Sequence, residues 1–101
     1  MDEQSRVASF VAKNELEAPA AYRLLDAVSE LGEVSKAVCT STGYGSDPEE
    51  VKVPEDERGD ALFALLALCA DLDVDAGTAL ETSLSKYEDR LAETGDAGSG
   101  E

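Results

Sequence analysis

A ten-residue apolar run, ALFALLALCA at positions 61–70, directly follows the charged stretch EDERGD. Apolar residues fill every position of the run, so a helix formed here is apolar on all of its faces. Helices of this kind are typical of protein interiors, and we expect this one to be buried all round. A chain of 101 residues has room for one domain around it.

Helical spacing of apolar residues predicts three more helices, and no segment reads as a strand. The first helix covers about residues 3–13 and the second about 20–40, with Pro19 placed to open it. The third begins at Glu55 or Asp56 and ends near Leu72. The fourth follows Asp75, a good N-cap residue, and ends near residue 93. The prediction is an all-α fold with one four-helix domain at 1–93 and a flexible polar tail at 94–101.

Burial of the third helix also predicts an assembly. The other three helices, of which the first is short, offer too little surface to cover a helix that is apolar all round. The second helix carries its own apolar stripe, formed by Ala21, Leu24, Val28, Leu31, Ser35 and Val38. We therefore expect a homodimer or homotetramer, most simply a twofold dimer that packs the second and third helices across its interface.

The charge balance excludes one class of partner. The chain carries 23 acidic and 8 basic residues, for a formal charge of -15. A protein that binds the backbone of a nucleic acid polymer normally has the opposite balance. Acids spread through a folded chain suit concentrated salt, which screens their repulsion. A halophilic source is the preferred explanation, and an ordinary acidic protein is the alternative.

Apolar length and cysteine content indicate the compartment. The ten-residue run is shorter than the roughly 20 residues of a membrane span, and the N-terminal MDEQSR is too acidic and polar for a signal peptide. We expect a soluble, cytoplasmic protein that does not bind membranes. Cys39 and Cys69 both lie in apolar helical stretches, which favours reduced core thiols, with a disulfide as the alternative.

The absence of histidine limits the available chemistry. It excludes Ser-His-Asp and Cys-His catalysis and every zinc site that uses histidine. Two cysteines cannot form a four-thiolate zinc site either. Carboxylates remain, and they favour hard cations such as Mg²⁺ or Mn²⁺.

Two pairs of carboxylates repeat the same spacing. Glu30 and Glu33 lie in SELGEVSKAV, and Glu57 and Asp60 precede the apolar run. Residues three apart share one side of a helix, so two antiparallel helices can bring both pairs into one cavity. Four carboxylates that close repel, and a divalent cation turns the repulsion into a ligand set. Asp26 shares the side of Glu30 but lies outside the pairs, and we interpret it as a neighbouring or solvated acid.

The stretches ELGEVSKAV, ERGDALFALLALCADLDVDAGTAL and ETSLSKYEDRL together resemble MazG-type nucleotide pyrophosphohydrolases over about residues 20–92. The family motif is E-x-x-E, a spacer and E-x-x-D, and here it reads Glu30, Glu33, Glu57 and Asp60. Arg58 and Gly59 stand where a leucine-glycine pair is expected, and the four acids remain in place.

This resemblance implies an all-α dimer or dimer of dimers with a Mg²⁺ site formed by the four acids. It implies hydrolysis of nucleoside triphosphates to the monophosphate and pyrophosphate, with removal of unwanted nucleotides as the role. In SKYEDR it makes Lys86 and Arg90 candidates for phosphate contacts, and Lys36, one turn beyond Glu33, is a third. The alternative is a non-catalytic helical interaction module that has kept the metal site.

Overall fold

A computed structural model describes residues 2–98, and these residues form four α-helices and no strand. The helices are α1 (Asp2–Lys13), α2 (Ala20–Ser41), α3 (Glu55–Asp71) and α4 (Ala76–Thr94). The predicted all-α class is confirmed, and each helix begins and ends within one or two residues of its predicted bounds. The predicted flexible tail falls partly on residues 99–101, which lie outside the described part of the chain.

Local sequence accounts for the starts of the helices. Pro19 and Pro54 occupy the N-cap positions of α2 and α3. The Asp75 carboxylate accepts a hydrogen bond from the backbone N–H of Thr78 at 3.0 Å, which confirms Asp75 as the N-cap of α4. The same carboxylate accepts a bond from the Thr78 hydroxyl, and these bonds lower the pKa of Asp75.

Three helices end in the same left-handed turn. Glu15, Gly43 and Asp73 have φ near +56° directly after α1, α2 and α3. In each case the next N–H, that of Leu16, Tyr44 or Val74, donates to the carbonyl five residues earlier. This is the Schellman motif, which satisfies carbonyls left unpaired at a helix end. It reverses the chain sharply after each of the three helices.

Helix α3 lies at the centre of the packing, with α2 antiparallel to it on one side and α1 on another. Ala64, Leu66 and Ala67 of α3 are buried. On the α1 side, the rings of Phe10 and Phe63 meet edge to face with centroids 6.0 Å apart.

The expectation that α3 is buried all round is wrong for the single chain. Leu62 and Leu65 are each 52% exposed, because α1 and α2 cover only two sides of the helix. The apolar stripe of α2 is also uncovered, with Val28 and Leu31 each 60% exposed. The expectation of two reduced core thiols is right about their redox state and wrong about their burial. Both thiols are free, but Cys39 is exposed and Cys69 is only partly buried.

The chain is more open than a monomer of its mass. Its radius of gyration is 16.5 Å, whereas about 13 Å is typical of 101 residues. It exposes 7336 Å² of surface, while a compact 10.6 kDa protein exposes about 5,500 Å². No helix within residues 2–98 has the length and apolar content needed to cross a membrane.

Candidate metal centre

The antiparallel pairing of α2 and α3 gathers carboxylates from both helices. One oxygen each from Glu30, Glu57 and Asp60 lies within 4.8 Å of the others. Glu30 reaches the cluster from the middle of α2, and the other two reach it from the first turns of α3. Three of the four acids predicted as ligands therefore lie close together, where α2 packs against α3.

Crowding alters the acidity of Glu30. Its pKa is raised from the ordinary value of 4.5, first by partial burial of the carboxylate and then by the negative charges of Asp60 and Asp26. Glu57 and Glu33 add smaller contributions in the same direction. A bound proton or a nearby cation stabilises a carboxylate in this setting, because either one reduces the repulsion from the neighbouring negative charges.

The pKa of Glu57 is also raised, and one nearby positive charge partly opposes the increase. Partial burial and the nearby charge of Asp56 raise its pKa, with further contributions from Glu33 and Asp60. Lys36 opposes them and lowers the pKa of Glu57. This predicted substrate contact on α2 therefore lies within electrostatic reach of the cluster.

Glu33 occupies a different position from the other motif acids. It is exposed and does not belong to the three-carboxylate cluster. Its charge nevertheless acts on both Glu30 and Glu57, so it lies at the edge of the same site. The charge of Asp26 raises the pKa of Glu30 but is not among the causes that shift the pKa of Glu57. This fits the interpretation of Asp26 as a neighbouring acid outside the ligand set.

The two predicted phosphate contacts of α4 lie elsewhere. The Lys86 amino group is 4.9 Å from the centre of the Tyr87 ring, and the Arg90 guanidinium is 5.9 Å from it. Arg90 also donates to the Gly98 carbonyl at 2.9 Å. Within residues 2–98, neither side chain forms an ion pair with the acidic cluster. Within one chain, only Lys36 of the three cations is brought to the site.

Sequence reasoning missed the buried arginine that joins the two helices. Arg23 is 9% exposed, and its Nε donates to Asp71 Oδ2 at 2.9 Å. Its Nη2 donates to the Leu16 carbonyl, which ties the α1–α2 connection to the same point. Arg23 lies seven residues, or two turns, before Glu30 on one face of α2, and this spacing is the signal that could have revealed it.

The donor set fits a hard divalent cation. All three clustered ligands are carboxylate oxygens, and no nitrogen or sulfur ligand joins them among the described residues. Oxygen-only sites favour Mg²⁺, Mn²⁺ or Ca²⁺ over zinc or copper. Asp60 is exposed, so the cluster is open to water on one side.

Comparisons with known proteins find no counterpart for this arrangement. The chain matches no protein-family model, no curated protein and no solved structure.

Proposed function

We propose that the protein is a Mg²⁺-dependent nucleoside triphosphate pyrophosphohydrolase, with removal of non-standard nucleotides as its role. The observation that supports this most is the convergence of Glu30, Glu57 and Asp60 within 4.8 Å. Their sequence spacing alone favours a shared cation site, and the two-helix motif they belong to resembles that of the MazG-type enzymes.

The reaction needs positioned charge more than covalent chemistry. Water attacks the α-phosphorus, the bond to the bridging oxygen of the β-phosphate breaks, and the products are the monophosphate and pyrophosphate. When bound, Mg²⁺ (or Mn²⁺) supplies positive charge to the phosphate oxygens and lowers the pKa of water. Glu30, Glu57 and Asp60 would hold it. Glu33, at the edge of the cluster, is the motif acid available to accept the proton of the attacking water.

Positive side chains are scarce in this chain, and those near the acids gain importance. Lys36 is the candidate phosphate contact within electrostatic reach of the acids, because its charge lowers the pKa of Glu57. Lys86 and Arg90 remain predicted phosphate contacts by resemblance alone. Their place on α4, away from the acids of their own chain, would require an assembly to bring them to a substrate.

The proposed assembly is a homo-oligomer that covers the open face of α2 and α3. Val28 and Leu31 of α2 and Leu65 of α3 are all at least half exposed. The chain exposes about 1,800 Å² more than a compact protein of its mass. A standard interface buries about 800 Å² on each partner, so covering this face with a second chain would account for part of the excess.

A nucleotide panel tests the activity directly. Purified protein in high salt with Mg²⁺ or Mn²⁺ is expected to release pyrophosphate from at least one standard or modified nucleoside triphosphate, and EDTA is expected to stop the release. Asp60→Asn should lower the rate by about 100-fold or more. Asp56→Asn, a matched change in the same helical turn outside the cluster, should change it only a few-fold.

Two results would contradict the proposal. Absence of pyrophosphate across the whole panel with both metals would favour the non-catalytic interaction module. Equal losses in Asp60→Asn and Asp56→Asn would place the reaction away from the three-carboxylate cluster.

A further inference from the structure

An apolar groove runs between α1 and α3 on a surface that α2 does not cover. The groove is open to solvent along much of its length and has a volume of about 970 Å³. Its walls are formed mainly by Val7 and Phe10 of α1 and by Leu62, Phe63 and Leu66 of α3. Phe10 and Leu62 are each 52% exposed, so large apolar surface faces water there. None of the lining residues belongs to α4.

Among residues 2–98, no other helix buries the apolar stripe of α4. Leu80, Leu84, Tyr87 and Leu91 fall on one side of the helix and are 40–51% exposed. No residue of α4, all of which lies in the described part of the chain, is buried. An amphipathic helix of 19 residues whose apolar stripe stays about half exposed gains little packing stability within its own chain.

Hydrogen bonds fix the turn that leads into α4. Val74 N–H donates to the Cys69 carbonyl at 2.9 Å, which closes the left-handed turn after α3. The Gln4 side chain of α1 then bonds both sides of the turn, donating to the Val74 carbonyl and accepting from Ala76 N–H, each at 2.7 Å. These bonds tie the start of α4 to α1, and no residue of α4 lines the groove of its own chain.

Charges at the groove and on α4 match in sign and spacing. Arg6 and Lys13 of α1 line the groove seven residues apart, and neither forms an ion pair among residues 2–98. Glu81 and Glu88 flank one side of the α4 stripe at the same separation. Seven residues are about two turns, or 10.5 Å, along either helix. Two ion pairs can therefore form together, with Leu84 lying between them.

We propose that α4 of a second copy of this chain occupies the α1–α3 groove, with Glu81 and Glu88 facing Arg6 and Lys13. A second copy is the occupant that the surface area favours, because a reciprocal exchange buries two such contacts and accounts for much of the excess exposed surface. The exchange goes beyond the proposed activity and does not depend on it, since it concerns surfaces outside the three-carboxylate cluster.

Directed cross-linking of the full chain tests the exchange. The background variant carries Cys39→Ala and Cys69→Ala, and the test variant adds Leu62→Cys in the groove and Leu84→Cys on α4. Copies labelled with ¹⁴N and ¹⁵N are mixed in denaturant, refolded together, treated with a short bis-maleimide and digested. Cross-linked peptides joining positions 62 and 84 of mixed isotope are expected. A matched control with Tyr44→Cys in place of Leu84→Cys is expected to give none, because Tyr44 is 82% exposed on the α2–α3 loop.

Charge reversal provides the second measurement and keeps the apolar contacts intact. Arg6→Glu with Lys13→Glu should weaken association at least tenfold, and so should Glu81→Lys with Glu88→Lys. Mixing the two double variants should restore it, because both exchanged contacts then pair opposite charges. The apparent mass is read by light scattering without nucleotide, so the result is independent of any hydrolytic activity.

Three outcomes would overturn the exchange. Peptides joining positions 62 and 84 of one isotope only would show that α4 folds onto its own chain. A dimer with no link between these positions would place the interface on another face. Failure of the mixed charge variants to associate better than either alone would remove the matched ion pairs.

Discussion

The acids at the contact of α2 and α3 show how neighbouring charges change the pKa of a carboxylate. Glu30 has a raised pKa because it is partly buried beside like charges, and Glu57 shares the same causes. A group whose folded pKa lies above its unfolded value binds more protons when folded. In the absence of a cation, these two residues therefore destabilise the fold at neutral pH and do so less as the pH falls.

Replacing Glu30 gives the first prediction. Without metal, the melting temperature of Glu30→Gln relative to wild type should increase as the pH rises above about 4.5, since the variant lacks a carboxylate whose pKa the fold raises above its ordinary value. Mg²⁺ should raise the melting temperature of the wild type and have a much smaller effect on the variant. Thermal denaturation in EDTA and in Mg²⁺ at several pH values measures both.

Glu49→Gln, which removes an acid from the α2–α3 loop, is the control for loss of charge. If Glu49→Gln showed the same pH and Mg²⁺ responses as Glu30→Gln, the effect would belong to the overall charge of the protein and not to the cluster.

Helices α2 and α3 are held in register by an ion pair beyond the acidic cluster. Arg23 and Asp71 join at 2.9 Å, with side chains only 10% and 25% exposed. The repulsion among Glu30, Glu57 and Asp60 opposes the same helix contact. The ion pair therefore stabilises the arrangement in which the like charges meet, and it helps to keep the site assembled before a cation binds.

Loss of one partner gives the second prediction. Asp71→Asn should lower the free energy of unfolding by about 2–3 kcal/mol, because it leaves the buried Arg23 guanidinium without its counter-charge. Arg58→Met is the matched control, since Arg58 is exposed on α3 and forms no ion pair within residues 2–98. It should cost less than about 0.5 kcal/mol. Urea denaturation compares the two, and similar losses would show that the Arg23–Asp71 pair contributes little.

The whole molecule combines a high negative charge with uncovered apolar surface. Its formal charge of -15 opposes both compaction and association of copies. Salt shortens the range of this repulsion from about 10 Å at 0.1 M to about 3 Å at 1 M. The proposed oligomer joins two such chains, so its formation should depend on salt more strongly than that of a neutral protein.

Salt dependence is the third prediction. Raising KCl from 0.1 to 1 M should increase both the melting temperature and the fraction of oligomer, as measured by thermal denaturation and light scattering. A variant with Glu49→Gln, Glu50→Gln and Glu93→Gln should show a shallower dependence, because these exposed acids contribute to the repulsion. A melting temperature that falls with KCl would show that attractive ion pairs outweigh the net charge.

The sequence by itself determined the elements and the candidates. Helical spacing and the Asp75 cap predicted four helices close to their observed bounds, since propensity and capping act within a few residues. The repeated three-residue spacing identified the acids that meet. These features depend on local geometry, which neighbouring residues largely decide.

Only the tertiary structure decided which surfaces meet. It showed Glu33 outside the three-carboxylate cluster, Lys86 and Arg90 away from it, and Arg23 buried against Asp71. It also left α3 half covered, although its sequence is apolar on every side. The physical reason is that an apolar helix face predicts burial but does not specify which helix or which chain covers that face. Helix packing and the direction of the turns settle which face each helix covers, and those depend on residues far apart in the chain.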